Sequence, residues 1–78
     1  MEENYIASPF VYRSYSKEEL AQMYLPGYAR ATAIKKFNSW LKLSPLFREQ
    51  LQRSGVEMRT RIYSVAQVRI IVGYLGEP

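Results

Sequence analysis

Hydrophobic positions recur along this chain at two spacings, and the switches between them mark out its elements. Phe10-Val-Tyr-Arg-Ser-Tyr15 is rich in β-forming residues and reads as a short strand. Ser16 then opens a first helix. Ser16 and Glu19 stand at the spacing of a capping box, in which each side chain caps the other's backbone N–H. Glu18 and Glu19 also put negative charge at the positive end of the helix dipole. Leu20, Ala21 and Tyr24 form the inner face, and Pro26-Gly27 ends the helix. A second helix is expected over about 29–42, where Ala33, Ile34, Phe37, Trp40 and Leu41 recur at steps of three and four. Trp40 is expected at the centre of the core. Arg30, Lys35, Ser39 and Lys42 fall mostly on the other side, with Lys36 and Asn38 at the flanks.

Ser44-Pro45 restarts the chain, with serine as N-cap and proline at the first helical position. The third helix should run to about Ser54, with Leu46, Phe47 and Leu51 inward and Gly55 as its C-cap. Residues 56–60 read as a loop, and Arg61-Ile-Tyr63 as a second short strand able to pair with the first. Ser64 and Gln67 repeat the capping-box spacing. The fourth helix carries Val65, Val68, Ile71, Val72 and Leu75 inward and stops at Gly76. No longer repeat is visible. The pattern therefore predicts a flexible N-terminal tail over 1–9 and a single domain over 10–78. That domain is mainly α, a four-helix, helix-turn-helix-like unit with a small two-stranded β ribbon.

Composition bounds the rest. A chain of 78 residues with 47% apolar side chains can fold but builds its core from few elements, so large aromatics should dominate it. There is no cysteine, and the acidic start lacks an export signal. The longest apolar run, 70–75, falls far short of the roughly 20 residues of a membrane span. Together these lead us to expect a cytoplasmic protein without a membrane partner.

Histidine and aspartate are absent along with cysteine, which removes the commonest general base, the thiolate nucleophile and the usual zinc ligands. The glycines are Gly27, Gly55, Gly73 and Gly76, too widely spaced for a phosphate-cradling loop. The expectation is a protein that is not an enzyme, with no catalytic residues, metal, cofactor or small-molecule substrate.

Charge points elsewhere. Residues 30–69 hold nine bases and two acids, Glu49 and Glu57, and nine minus two leaves an excess of +7. Such a basic middle suits a polyanion. If the first two helices form a helix-turn-helix, the outer face of the second meets duplex DNA. Arg30, Lys35, Lys36 and Lys42 would neutralise phosphates, while Asn38 and Ser39 would read base edges. Arg59 and Arg61, beside the ribbon, would touch the backbone as in a winged variant. The alternative is a helical hairpin with a solvated basic face, and two arginines guarding a sheet edge. The fourth helix carries a second stripe, Ala66, Ile70, Gly73 and Tyr74, opposite its core stripe. This face is either covered by the N-terminal segment or is a partner interface, in a homodimer or with another protein.

Several of these residues also carry a resemblance. They are Arg13-Ser-Tyr-Ser-Lys-Glu-Glu-Leu-Ala21, Tyr24, Pro26, Ala33, Phe37, Trp40, Ser44-Pro45, Leu51 and Gly55, then Tyr63-Ser-x-x-Gln-Val68 and Tyr74-Leu-Gly-Glu-Pro78. In this pattern the chain resembles a family of short bacterial proteins, domain of unknown function 4248, over about 10–78. The resemblance implies the architecture above and a bacterial cytoplasmic setting. Glu19-Leu-Ala21 and the aromatic Trp40 are more loosely similar to excisionase and MerR-like winged helix-turn-helix domains. The chain departs from these in its longer turn at Pro26-Gly27-Tyr28 and in the extra helix after Pro45. Two functions follow: a nucleic-acid-binding accessory or regulatory protein, or a non-enzymatic protein-interaction adaptor.

Overall fold

Serine caps set the points where this chain changes from ribbon to helix. The computed structural model describes residues 10–78, which form four helices and a two-stranded antiparallel ribbon. The tail expected over 1–9 lies outside the described residues. Strand β1 (Tyr15–Ser16) runs straight into α1 (Lys17–Tyr24), and β2 (Ile62–Tyr63) leads through Ser64 into α4 (Val65–Leu75). Between them lie α2 (Arg30–Trp40) and α3 (Pro45–Arg53). Both capping boxes form: Ser16 with Glu19 and Ser64 with Gln67 each exchange two hydrogen bonds. Ser44 caps α3 above Pro45, and Gly55 (φ 94°) and Gly76 (φ 87°) take the left-handed conformations that close α3 and α4.

The strands pair with Tyr15 opposite Tyr63 and Ser16 opposite Ile62. One more rung follows, from Lys17 N–H to the Arg61 carbonyl at 2.7 Å. The ribbon is shorter than the strand expected over 10–15. In this register Arg13 would face Val65, already the first residue of α4, so pairing must stop. Phe10 instead stacks on Tyr15, and the Tyr15 hydroxyl donates to the Val11 carbonyl at 2.7 Å.

The core joins all of these elements. Tyr63, Phe37, Phe47, Leu20, Leu41, Ile71 and Val68 are its largest fully buried side chains. α1 and α2 pack against each other, and each contributes a fully buried alanine to the core, Ala21 and Ala33. Trp40 is not the core's centre. The last residue of α2, it is half-buried and meets Tyr24 and Phe37 edge-on. Phe37 and Tyr63 take the central place. Leu46 also differs from expectation and is 63% exposed. α3 buries only the narrow stripe of Phe47 and Leu51, and the chain after Gly55 folds Val56 back into the core beside it. Val65, placed inward by its spacing, is exposed at the start of α4.

The C-terminal residues are tied down. The Tyr24 hydroxyl donates to the Gly76 carbonyl, and the Tyr12 hydroxyl donates to Glu77 at 3.0 Å. That bond to Glu77 is the main reason the Tyr12 phenol is held above its ordinary pKa. Among the described residues no helix is long and apolar enough to cross a membrane.

Candidate nucleic-acid interface

α2 turns Ala33, Phe37 and Leu41 into the core, which leaves its cations outside. Arg30, Lys35, Lys36, Ser39 and Lys42 are all exposed. Arg30 reaches back to Glu18 on α1 at 3.0 Å. The Lys36 ammonium lies 5.0 Å above the Tyr28 ring. The Ser39 hydroxyl donates weakly to the Lys35 carbonyl, one turn back, at 3.3 Å. Past the other end of the helix, Lys42, Arg48 and Glu57 line one open cleft. Among the described residues Lys35, Lys36 and Lys42 make no ion pair.

Asn38 departs from its expected place. It is half-buried, and its side-chain oxygen accepts a 2.8 Å hydrogen bond from the Lys17 ammonium. A side chain committed in this way is a poor base reader. Lys17 itself is 7% exposed and also donates to the Met58 carbonyl. Burial, and then the neighbouring Arg61 charge, lowers its pKa.

Lys17, Asn38, Arg59 and Arg61 thus share one cleft of about 390 Å³, completed by Ser16, Glu18, Ile34, Met58, Thr60 and Ile62. Arg59 pairs with Glu57 at 3.1 Å on the exposed side. The structure therefore brings together Asn38, Arg59 and Arg61, and leaves Lys35, Lys36, Ser39 and Lys42 outside that cleft. Lys17 was the residue the motifs passed over. Its spacing held a signal, because 17, 20, 21 and 24 fall on one face of a helix, and that face is the inner one.

The second stripe of α4 is partly covered, and by α3. Tyr74 stacks flat on Phe47, with ring centroids 4.2 Å apart and planes 5° apart. Ile70 is half-buried, while Ala66 and Gly73 are exposed. An open groove of about 600 Å³ runs here, lined by Gln50, Arg53, Ser54, Arg69, Ile70, Gly73 and Tyr74.

No curated protein and no solved structure gives a significant match to the chain. A family model does match, over residues 11–78, and this stretch holds the ribbon, all four helices and the tethered Leu-Gly-Glu-Pro end. The chain belongs to the family described as Domain of unknown function (DUF4248).

Proposed function

We propose that this protein is a non-enzymatic, cytoplasmic accessory or regulatory factor that binds duplex DNA through the basic outer face of α2. One observation carries the reading: Lys35 and Lys36 on α2, and Lys42 in the turn just past its end at Trp40, are exposed with no described carboxylate in ion-pair reach. Cations left free in this way suit a phosphate backbone, with its closely spaced charges. The packing of α1 against α2 supports a helix-turn-helix geometry in which α1 braces α2. Ser39 is the remaining candidate for base contact, since Asn38 is held by Lys17.

Fluorescence anisotropy with random duplex DNA at two salt concentrations tests this. Affinity should fall steeply with salt. Each phosphate contact removed flattens the slope of log affinity against log salt by about one unit, so Lys35→Ala with Lys42→Ala should flatten it by about two. No binding at low salt, or a slope untouched by the double change, sinks the proposal. A second reading, contact with a protein partner or a second copy through α4, is favoured by the open groove beside Gly73. A chain that stays monomeric at high micromolar concentration would remove its homodimeric form.

A further inference from the structure

Duplex contact through α2 does not account for the cleft beside the first turn of α1. Lys17 is the one buried charged side chain among the described residues. Its ammonium meets two neutral acceptors, the Asn38 side-chain oxygen and the Met58 carbonyl, and no described carboxylate. An ammonium has three N–H groups, so one is left over. Arg59 and Arg61 line the same cleft. Glu18, the one carboxylate lining it, is engaged by Arg30 at 3.0 Å. Ser16, Lys17 and Glu18 add the positive end of the α1 dipole. Only Lys17 is buried; Arg59 and Arg61 are exposed, and Arg59 shares its charge with Glu57 at 3.1 Å. The buried ammonium is therefore the charge without a counter-charge, and its desolvation costs stability. A buried charge perturbed by burial and by a charged neighbour, and lining a cleft, marks a candidate binding site.

Three cations around one opening match a phosphate better than a carboxylate. A phosphate monoester offers up to two charges and three terminal oxygens, and arginine pairs with them through two parallel hydrogen bonds. Ile34, Met58 and Ile62 form an apolar wall on the same cleft, and Met58 and Ile62 are 41% and 68% exposed. We propose that this cleft binds a phosphate ester, its phosphate among Lys17, Arg59 and Arg61 and its organic part against Ile34, Met58 and Ile62. That chemistry has two sources, a small phosphorylated molecule or a backbone phosphate of nucleic acid.

Amide-correlation NMR of the full chain separates the outcomes, with inorganic phosphate and phenyl phosphate titrated at constant ionic strength against chloride. Saturable shifts should centre on residues 16–18 and 58–62, and phenyl phosphate should bind more tightly than inorganic phosphate. Lys17→Met should weaken binding by about tenfold or more, as should Arg61→Ala at an exposed position that leaves the fold intact. Shifts that never saturate, that spread equally over Lys35, Lys36 and Lys42, or that survive Arg61→Ala overturn the proposal. A short duplex forms the last arm. If phenyl phosphate competes with it for the cleft, the source is a backbone phosphate. If phenyl phosphate binds and no duplex does, the cleft serves a small ester and duplex recognition by α2 fails alone. Duplex binding on α2 with no phosphate ester in the cleft defeats the cleft proposal and leaves the α2 reading standing.

Discussion

The strand-to-helix units β1–α1 and β2–α4 are written in nearly the same local sequence and do different work. Each reads Tyr-Ser-x-x-Glu/Gln followed by an aliphatic residue, each serine caps its helix, and the two tyrosines face each other across the ribbon. In β2–α4 the motif is an anchor. Tyr63 is fully buried against Phe37, and its hydroxyl has no hydrogen-bond partner among the described residues. Gln67 caps Ser64 with its side-chain oxygen and donates its amide to the Ser54 carbonyl at 2.8 Å, which fastens α4 to the end of α3. In β1–α1 the same motif also buries its tyrosine and its aliphatic residue, Tyr15 and Leu20, but its polar contacts lie at the surface. The Tyr15 hydroxyl has the Val11 carbonyl, Glu19 pairs loosely with exposed Arg13 at 3.6 Å, and the first helical residue is the buried Lys17. An identical cap thus fixes where a helix starts, while its neighbours decide whether the helix end holds the fold or opens a cleft.

The largest break in this comparison should come from Tyr63→Ala. Emptying the centre of so small a core should cost on the order of 3–5 kcal/mol, close to the whole stability of a domain this size. Trp40→Ala, at the half-buried end of α2, should cost distinctly less in the same chemical-denaturation experiment. Equal losses would mean that Trp40 shares the centre after all.

High pH should strike both units next, through one phenol in each, Tyr63 in β2 and Tyr24 in α1. Burial pushes the Tyr63 phenol far above its ordinary value, and burial with Tyr12 and Glu77 nearby pushes Tyr24 up to about 12. The folded chain therefore keeps phenol protons that the unfolded chain gives up near pH 10. This stabilisation is complete below that value and is lost as pH rises through the folded pKa values. Lys17, lowered by burial and Arg61, acts in the opposite sense, because losing its proton relieves a buried charge. A stability curve against pH should thus fall above about pH 10, and Tyr63→Phe should soften the fall. A flat curve to pH 12 would contradict the burial of both phenols.

The capping pair sharpens the contrast at moderate size. Gln67→Glu replaces the amide that serves the Ser54 carbonyl with a carboxylate that repels it, and should cost about 1–3 kcal/mol. Glu19→Gln keeps the cap and loses only an exposed ion pair, so its cost should stay within about 1 kcal/mol. Thermal melts of the two variants give the comparison directly, and similar losses would show that Gln67 does not fasten α3 to α4.

What could be read from the sequence divides along the same line. Caps, turns and the inner faces of α1 and α2 are local, set by residues three or four apart, and Ser16, Ser44, Ser64 and Gly76 marked them correctly. The cleft was illegible because its contacts are distant: Lys17 reaches Asn38 across 21 positions and Met58 across 41. Asn38 looked like a free polar residue at the flank of a basic helix, and only the fold reveals that it accepts from Lys17. Trp40 and Leu46 failed for a related reason. Periodicity says which way a residue faces but not whether another element reaches far enough to cover it.

The smallest effect should separate the two units most cleanly, at the first helical residue. Lys17 in α1 and Val65 in α4 occupy matching positions, yet the lysine is 7% exposed and the valine 39%. Burial by hydrophobicity would put them the other way round. Lys17→Met keeps the length of the stem and removes the charge, its repulsion by Arg61 and its unfavourable place at a helix N-terminus. It also strips a donor from Asn38 and from the Met58 carbonyl, but these line an open cleft that water can enter. Replacing poorly compensated buried charge with apolar volume is often neutral or stabilising, so the melting temperature should hold or rise, within about 1 kcal/mol. Val65→Lys should cost a few tenths of a kcal/mol through the dipole alone and create no anion site, since Val65 lines none of the clefts formed by the described residues. If Lys17→Met instead destabilises by several kcal/mol, the lysine is a strut that holds α1 to α2 and the 58–61 loop. The likeness of the two units would then extend to their purpose.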